Sequence, residues 1–184
     1  VNTWVTEAFA EFGEILTELE GMKNLHGAIF ISGKPNTFIA GANLKQIQEM
    51  KSHAEVRGLI DLFHDSFARL HALPYPTIAA IHGHCLGGGL EFALACQARI
   101  AKEGKTTLIG LPECNVGLFP GGGGTQRLPR LIGYKAIELI LKATMLSAKQ
   151  SFDIGIVDRL IPAEEDLLKA AKELLQEVIE GKAA

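Results

Sequence analysis

Glu91 and Glu113 are the residues whose type and surroundings best suit the movement of a proton. Glu91 lies at the start of the apolar run LEFALAC, flanked by Leu90 and Phe92, where a lone carboxylate is costly to bury without a partner or a task. Glu113 follows Pro112 in IGLPECNVGLF, again a single acid in an apolar stretch. Each has an ordinary explanation. Glu91 could be an acid favoured by the positive end of a helix dipole, and Glu113 a loop carboxylate facing water. Together, beside glycine-rich segments, they suggest paired carboxylates for proton transfer.

Those glycine-rich segments are two turns, FIAGANLK (38–45) and HCLGGGLE (84–91). In each, small residues allow backbone to approach a ligand closely, and the helix start that follows leaves amide N–H groups without intrahelical partners. Such amides can hold an anionic oxygen. Either turn alone is better explained by close helix–sheet packing; the pair together is more telling of a ligand. Glycine makes up 20 of 184 residues, against an ordinary share of about 7%, and the excess gathers at 83–89 and 117–124.

Other chemistries fit less well. GGGGTQR lacks the Lys-Ser/Thr that completes a phosphate loop, GHCLGG is not the dinucleotide fingerprint, and no GxSxG nucleophile elbow occurs. His82 and His84 could share one side of a strand, but no third ligand at a recognisable spacing accompanies them, so no metal site is expected. His64 and His71, seven apart, are expected on a solvated or partly buried helix face.

The elements that must position these residues can be read from the hydrophobic pattern. Val5, Ala8, Phe9, Phe12, Ile15, Leu16 and Leu19 predict an amphipathic helix to about Glu20, capped by Asn2 or Thr3. GAIFIS and TIAAIHG read as buried strands, and ARIA and TTLIG as short ones. Between the first two, Val56, Ile60, Phe63, Phe67 and Leu70 mark a second amphipathic helix that Pro74 and Pro76 stop. LEFALAC, apolar nearly all round, suits a buried central helix. After the loop Pro120–Gly124, TQRLPRLIG and KAIELILKA read as helices and IVDRLIP as a last strand. Glu164 to Ile179 closes as a helix with Leu167, Leu168, Ala171, Leu174, Leu175 and Val178 inward. Strands alternating with helices predict an α/β protein on a mostly parallel sheet.

Composition narrows the partners. The chain is 47% apolar with 21% charged residues and a net charge of −3, the balance of a core-forming domain and a poor match to nucleic acid. At 184 residues one domain is expected. Cys85, Cys96 and Cys114 lie in apolar runs without a CxxC pair, which favours a reducing compartment. The most apolar stretch, Thr77 to Cys96, is broken by His82, His84, four glycines and Glu91, so it is not a membrane span.

FIAGANLK, IAAIHGHCLGGGLEFALAC, LIGLPECNVGLFPGGGGTQRLPRLIG and AKQSFDIGIVD, in this order, resemble the enoyl-CoA hydratase/isomerase (crotonase) superfamily over almost the whole chain. KPNTFIAGAN, ALACQARIA and GGTQRLPRLIG look most like the hydratase region of the multifunctional fatty-acid oxidation α-subunit. That protein also carries a 3-hydroxyacyl-CoA dehydrogenase, for which this chain is too short. The resemblance implies a crotonase-like (ClpP/crotonase) spiral of β-β-α units over 1–184, lacking the N-terminal strands and C-terminal helices of the full family fold.

It further implies enoyl-CoA hydratase activity, the addition of water to trans-2-enoyl-CoA in fatty-acid β-oxidation, with Glu91 and Glu113 as the catalytic glutamates. The amides of Ala42 and Gly88 would form the oxyanion hole. Ala40, Gly41, Gly87, Pro112 and Gly121 would contact substrate, and Lys45 would lie near the coenzyme A phosphates. A β-branched residue at Gly88 is therefore expected to damage catalysis more than folding. Asn43 departs from the family's usual Asp but can cap a helix equally well. No metal or separate cofactor is implied, since coenzyme A enters with the acyl-CoA substrate. The resemblance also implies a cytoplasmic homo-oligomer, a trimer or dimer of trimers, or a place among β-oxidation complex partners. The alternatives are a Δ3,Δ2-enoyl-CoA isomerase and a non-catalytic acyl-CoA-binding or assembly fragment, in which case the terminal helix would expose an apolar face.

Overall fold

Short strands in pairs, each pair followed by helix, organise the chain. In the computed structural model, which describes residues 1–183, β1 (Ala28–Ile31) and β2 (Thr37–Ile39) precede helices α2 (Leu44–Glu49) and α3 (His53–His71). β3 (Thr77–Ile81) and β4 (His84–Leu86) precede α4 (Gly88–Ala95). β5 (Ala98–Lys102) and β6 (Leu108–Gly110) precede a 3-10 turn (Glu113–Val116), α5 (Gly124–Ile132) and α6 (Lys135–Leu141). The first strand of each pair enters one sheet and the second enters another, so the chain winds as a spiral of β-β-α units. This is the expected α/β fold.

The first sheet has the order β1-β3-β5-β8, with β8 at Arg159–Ile161, and all its neighbours are parallel. Its central strand TIAAI is buried at every position, as parallel strands covered on both faces require. The second sheet, β2-β4-β6-β7, is mixed, because β7 (Met145–Ser147) runs antiparallel to β6. α7 (Ala148–Asp153) follows β7 and opens with a capping box between Ser147 and Gln150.

Four local expectations need correction. Helix α1 starts at Thr6 and runs to Gly21, with Val5 rather than Asn2 or Thr3 at its N-cap. Residues 2–4 are instead held extended against 40–43, with Ala40 N–H donating to Asn2 O and Trp4 N–H to Gly41 O. TIAAIHG is not one strand: it breaks after Ile81, so His82 and His84 do not share a strand. KAIELILKA stops at Leu141, and Ala143 turns with a positive φ of 49° into β7. The last helix, α8 (Leu167–Ile179), is capped by Asp166 and leaves Leu168 exposed.

Leu167, Ala170, Ala171 and Leu174 of α8 are buried with Ile78, Ala80, Ala98 and Ile100 of the first sheet. The inward face of the terminal helix is therefore covered within the chain.

An aromatic cluster joins α1, α3 and α4. Phe92 of α4 lies 5.2 to 6.0 Å, ring centroid to centroid, from Trp4, Phe12, Phe30, Phe38 and Phe67. Edge and tilted contacts of this kind add to the burial that already favours such rings. At the other end of α4, buried Arg99 donates from Nη1 to Cys96 O (3.0 Å) and from Nε to Ile156 O (2.8 Å), and pairs with Asp158 at 2.8 Å. A guanidinium with these partners is a satisfied buried charge that ties the helix end to the β8 segment. Among the described residues, no helix is long and apolar enough to cross a membrane.

Candidate active site

A cavity of about 280 Å³ opens between α2, α3 and the turns that start α2, α4 and α5. Ala40, Gly41, Ala42, Gly87, Gly88, Glu91, Pro112, Glu113 and Gly121 all line it. Lys45 does not: it is exposed on α2, outside the cavity lining. Asn43 caps that helix, its Oδ1 accepting from the N–H of Lys45 at 3.0 Å. Apolar side chains including Ile47, Met50, Ile60, Phe63 and Phe119 complete the wall. A larger groove of about 850 Å³ runs past Tyr75, Cys96 and Arg130 but touches neither glutamate.

Glu91 is 2% exposed. Its Oε1 accepts from Gly122 N–H at 2.7 Å and Gly124 N–H at 2.8 Å. Burial is the largest influence and raises its carboxyl above the ordinary range, while these two amides and the nearby Arg127 guanidinium oppose it in part. The glycines permit the approach: a Cβ on Gly122 would lie 2.7 Å from Glu91 Oε2, and one on Gly124 3.0 Å from Oε1. The loop is also gripped from outside. Arg127 Nη1 donates to Gly122 O at 3.0 Å, and His64 Nε2 is 2.7 Å from Gly121 O.

Glu113 opens the 3-10 turn behind Pro112. Burial, with the charge of Glu91 next, pushes its carboxyl up to about 7. Its Oε2 is buried and has no hydrogen-bond partner in the protein. The two acids thus share a cavity but not an environment. Glu91 has two backbone donors and the Arg127 guanidinium nearby; Glu113 has an unpartnered oxygen and a neighbouring carboxylate.

The two turns converge. A Cβ on Gly41 would be 3.9 Å from Gly88 N, which places the FIAGAN turn against the start of α4. Asn43 N–H donates to Trp4 O and Gly41 O accepts from Trp4 N–H. Successive groups of an extended backbone point to opposite sides, so the N–H of Ala42, between them, faces away from Trp4. Gly88 is the first residue of α4, where an amide has no intrahelical acceptor. Among the described residues, neither amide donates to the protein.

A side chain at Gly88 would not act on the cavity alone. A Cβ there would meet Phe63 at 2.8 Å and Trp4 at 3.1 Å, so a β-branched substitution strikes the aromatic core as well as the cavity. Of three further residues that shape the site, Trp4 and Arg127 went unmarked in the sequence, and His64 was read only as part of a solvated or partly buried helix face. Trp4 and His64 reach it across 84 and 57 residues, distances that no local pattern carries. Arg127 had one signal, a cation directly behind the glycine run.

The chain belongs to the enoyl-CoA hydratase/isomerase family, whose model matches residues 1–184. Among solved structures it is similar to an enoyl-CoA hydratase from Bacillus anthracis, at 36% identity and a TM-score of 0.88, covering 96% of this chain and 67% of that one. DspI of Pseudomonas aeruginosa is 32% identical with a TM-score of 0.88, over 97% and 72% of the two chains. An enoyl-CoA hydratase from Geobacillus kaustophilus is 29% identical with a TM-score of 0.89, over 96% and 66%. The chain therefore spans roughly two thirds of the length of these relatives. They extend the resemblance to the family and do not bear on the multifunctional α-subunit.

Proposed function

We propose that this chain adds water to the double bond of a trans-2-enoyl-CoA, as a step of fatty-acid β-oxidation. The observation that carries the proposal is the unequal pair of carboxyls facing one apolar cavity: Glu91, held by two amides, and Glu113, poised near neutrality. Two backbone donors favour the ionised form of Glu91 as the base, and the unpartnered Oε2 of Glu113 suits a carboxyl that carries the proton as the acid. The N–H groups of Ala42 and Gly88 hold the thioester oxygen. Negative charge grows on that oxygen as water adds to the β-carbon, and each donor aimed at it is typically worth ~3 kcal/mol.

Glu91 takes a proton from water, the hydroxyl bonds to the β-carbon, and the π electrons move through the α-carbon onto the thioester oxygen. Glu113 delivers its proton to the α-carbon and the carbonyl reforms. Glu91 ends protonated and Glu113 ionised, and a proton returns between them through solvent. Coenzyme A enters as part of the substrate, and the scheme calls for no metal or redox group. A place in a multifunctional α-subunit rests on the resemblance of the quoted segments alone.

Loss of the conjugated enoyl-thioester absorbance with crotonyl-CoA and with a long-chain substrate tests the activity. Glu91→Gln and Glu113→Gln should each lower turnover at least about a hundredfold, the scale of general acid–base catalysis, while acyl-CoA binding stays measurable. Parental turnover in either variant would remove the role given to that residue. A Glu91 variant that loses hydration but still moves a Δ3 double bond to Δ2 would instead identify an isomerase using Glu113 alone.

A further inference from the structure

The two amides that are to hold the thioester oxygen come from turns more than forty residues apart in sequence, and one residue, through its backbone and its side chain, touches both turns. Trp4 brackets Ala42 with its backbone, donating to Gly41 O at 2.9 Å and accepting from Asn43 N–H at 3.0 Å. Its indole Nε1–H donates to Gly88 O at 3.1 Å. The indole edge also lies 3.1 Å from the place a Cβ of Gly88 would take. The ring is buried, stacked on Phe9 at 4.6 Å with an interplanar angle of 18°, and meets Phe63 and Phe67 edge-on.

Gly87, Gly88 and Gly89 have no side chains with which to lock their own backbone. A preorganised donor pair needs its geometry held from outside. Trp4 supplies a brace for each member, and its own position is fixed by the aromatic core. We infer that Trp4 is a positioning residue that sets the spacing and aim of the Ala42 and Gly88 amides through simultaneous backbone and indole contacts. The inference rests on the hydratase reading above, because only there do the two amides share one oxygen.

Trp4→Phe keeps an aromatic ring beside Phe9 and removes the indole donor. Its kcat for crotonyl-CoA should fall about three- to tenfold, the value of one ordinary hydrogen bond, with KM within about twofold. A purely structural role would lower the melting temperature or the active fraction without dividing kcat from KM in this way, since an interaction realised in the transition state is lost from kcat. Parental kcat in a folded Trp4→Phe protein overturns the inference and leaves the hydratase reading intact.

Trp4 is the only tryptophan in the chain, so a second measurement does not depend on the variant folding. The single indole N–H signal of 15N-labelled parental protein should be protected from solvent exchange and should shift on saturation with butyryl-CoA. A signal unmoved by saturating thioester overturns the inference. A parental protein that neither hydrates crotonyl-CoA nor binds butyryl-CoA removes the hydratase reading, and the inference with it.

Discussion

Glu113 carries a pH dependence whose sign runs opposite to the usual carboxylate. Its folded-state carboxyl is pushed up to about 7, above the ordinary 4.5. Below pH 4.5 it is protonated whether the chain is folded or not, and contributes nothing. Between about 4.5 and 7 the unfolded chain releases the proton and the folded chain keeps it, so stability falls as pH rises through that window. Glu113→Gln has no charge to bury. Its stability relative to the parent, followed by urea denaturation, should therefore increase from pH 5 to pH 7.5 and then level off. A difference flat across that range would show that Glu113 titrates normally.

At this scale the two acids were legible because each stands alone in an apolar run. The difference between their surroundings was not. It depends on Gly122 and Gly124 donating to Glu91 while Glu113 Oε2 goes unpaired, contacts that join segments about 30 residues apart. Burial also leaves Cys85 and Cys96 with thiols that resist ionisation, Cys96 pushed up to about 12, so these two cysteines are core residues and poor nucleophiles.

The β4–α4 turn carries the Gly88 amide and packs Gly87 against Glu113, so the proposed carbonyl site and the proposed acid both rest on it. Gly87 adopts φ 53° and ψ −126°, and a Cβ there would lie 3.0 Å from Glu113 Oε1. Gly155 offers a control, with a φ of 85° and nothing within 4 Å of an added Cβ. Gly87→Ala and Gly155→Ala should each lose on the order of 1–3 kcal/mol of stability through backbone strain. Only Gly87→Ala should also lose activity, by about tenfold or more, because its methyl displaces the Glu113 carboxylate. Equal specific activities in the two folded variants would show that this contact has no part in turnover.

Long elements with a clear period, such as α3 and α8, were readable, and so were the strands buried on both faces. Of the three-residue strands, β6 and β8 were readable because each lies in a distinct β-rich run, TTLIG and IVDRLIP, whereas β2, β4 and β7 sit against glycine turns or helix starts and are defined by their neighbours in the sheet. The β-β-α repeat was hidden for a related reason. Its turns differ in helical content, α2 with α3 in one and α4 alone in the next, so no fixed spacing recurs. The start of α1 was misplaced because Asn2 is a good cap by type, yet its side chain donates to Ser32 Oγ and Phe38 O instead.

For the whole molecule, the exposed apolar stripe that the self-association expected from the resemblance would need lies along α6, not on the covered inward face of the last helix. Tyr134, Ile137 and Leu141 lie at spacings of three and four and are 82%, 57% and 59% exposed. A stripe of that kind is the sort of patch that symmetric closure buries. Ile137→Lys should lower the mass seen by sedimentation equilibrium from an oligomer to a monomer, with far-UV circular dichroism unchanged. A parental protein that is monomeric at every concentration would remove the homo-oligomer from the account.

The spiral also dictates how the chain can acquire its site in time. Every pair in the first sheet joins strands separated by at least one intervening strand or helix, and the Trp4–Gly88 hydrogen bond spans 84 residues. Contacts of this reach meet their loop-closure entropy before they stabilise anything, which makes such topologies slow to fold. During synthesis the indole N–H of Trp4 must lack its Gly88 acceptor until α4 has been made. Until then the aromatic cluster lacks Phe92 and the first turn lacks the residue it faces. The donor pair is therefore a property of the completed spiral, and no folding intermediate without α4 can bind through it.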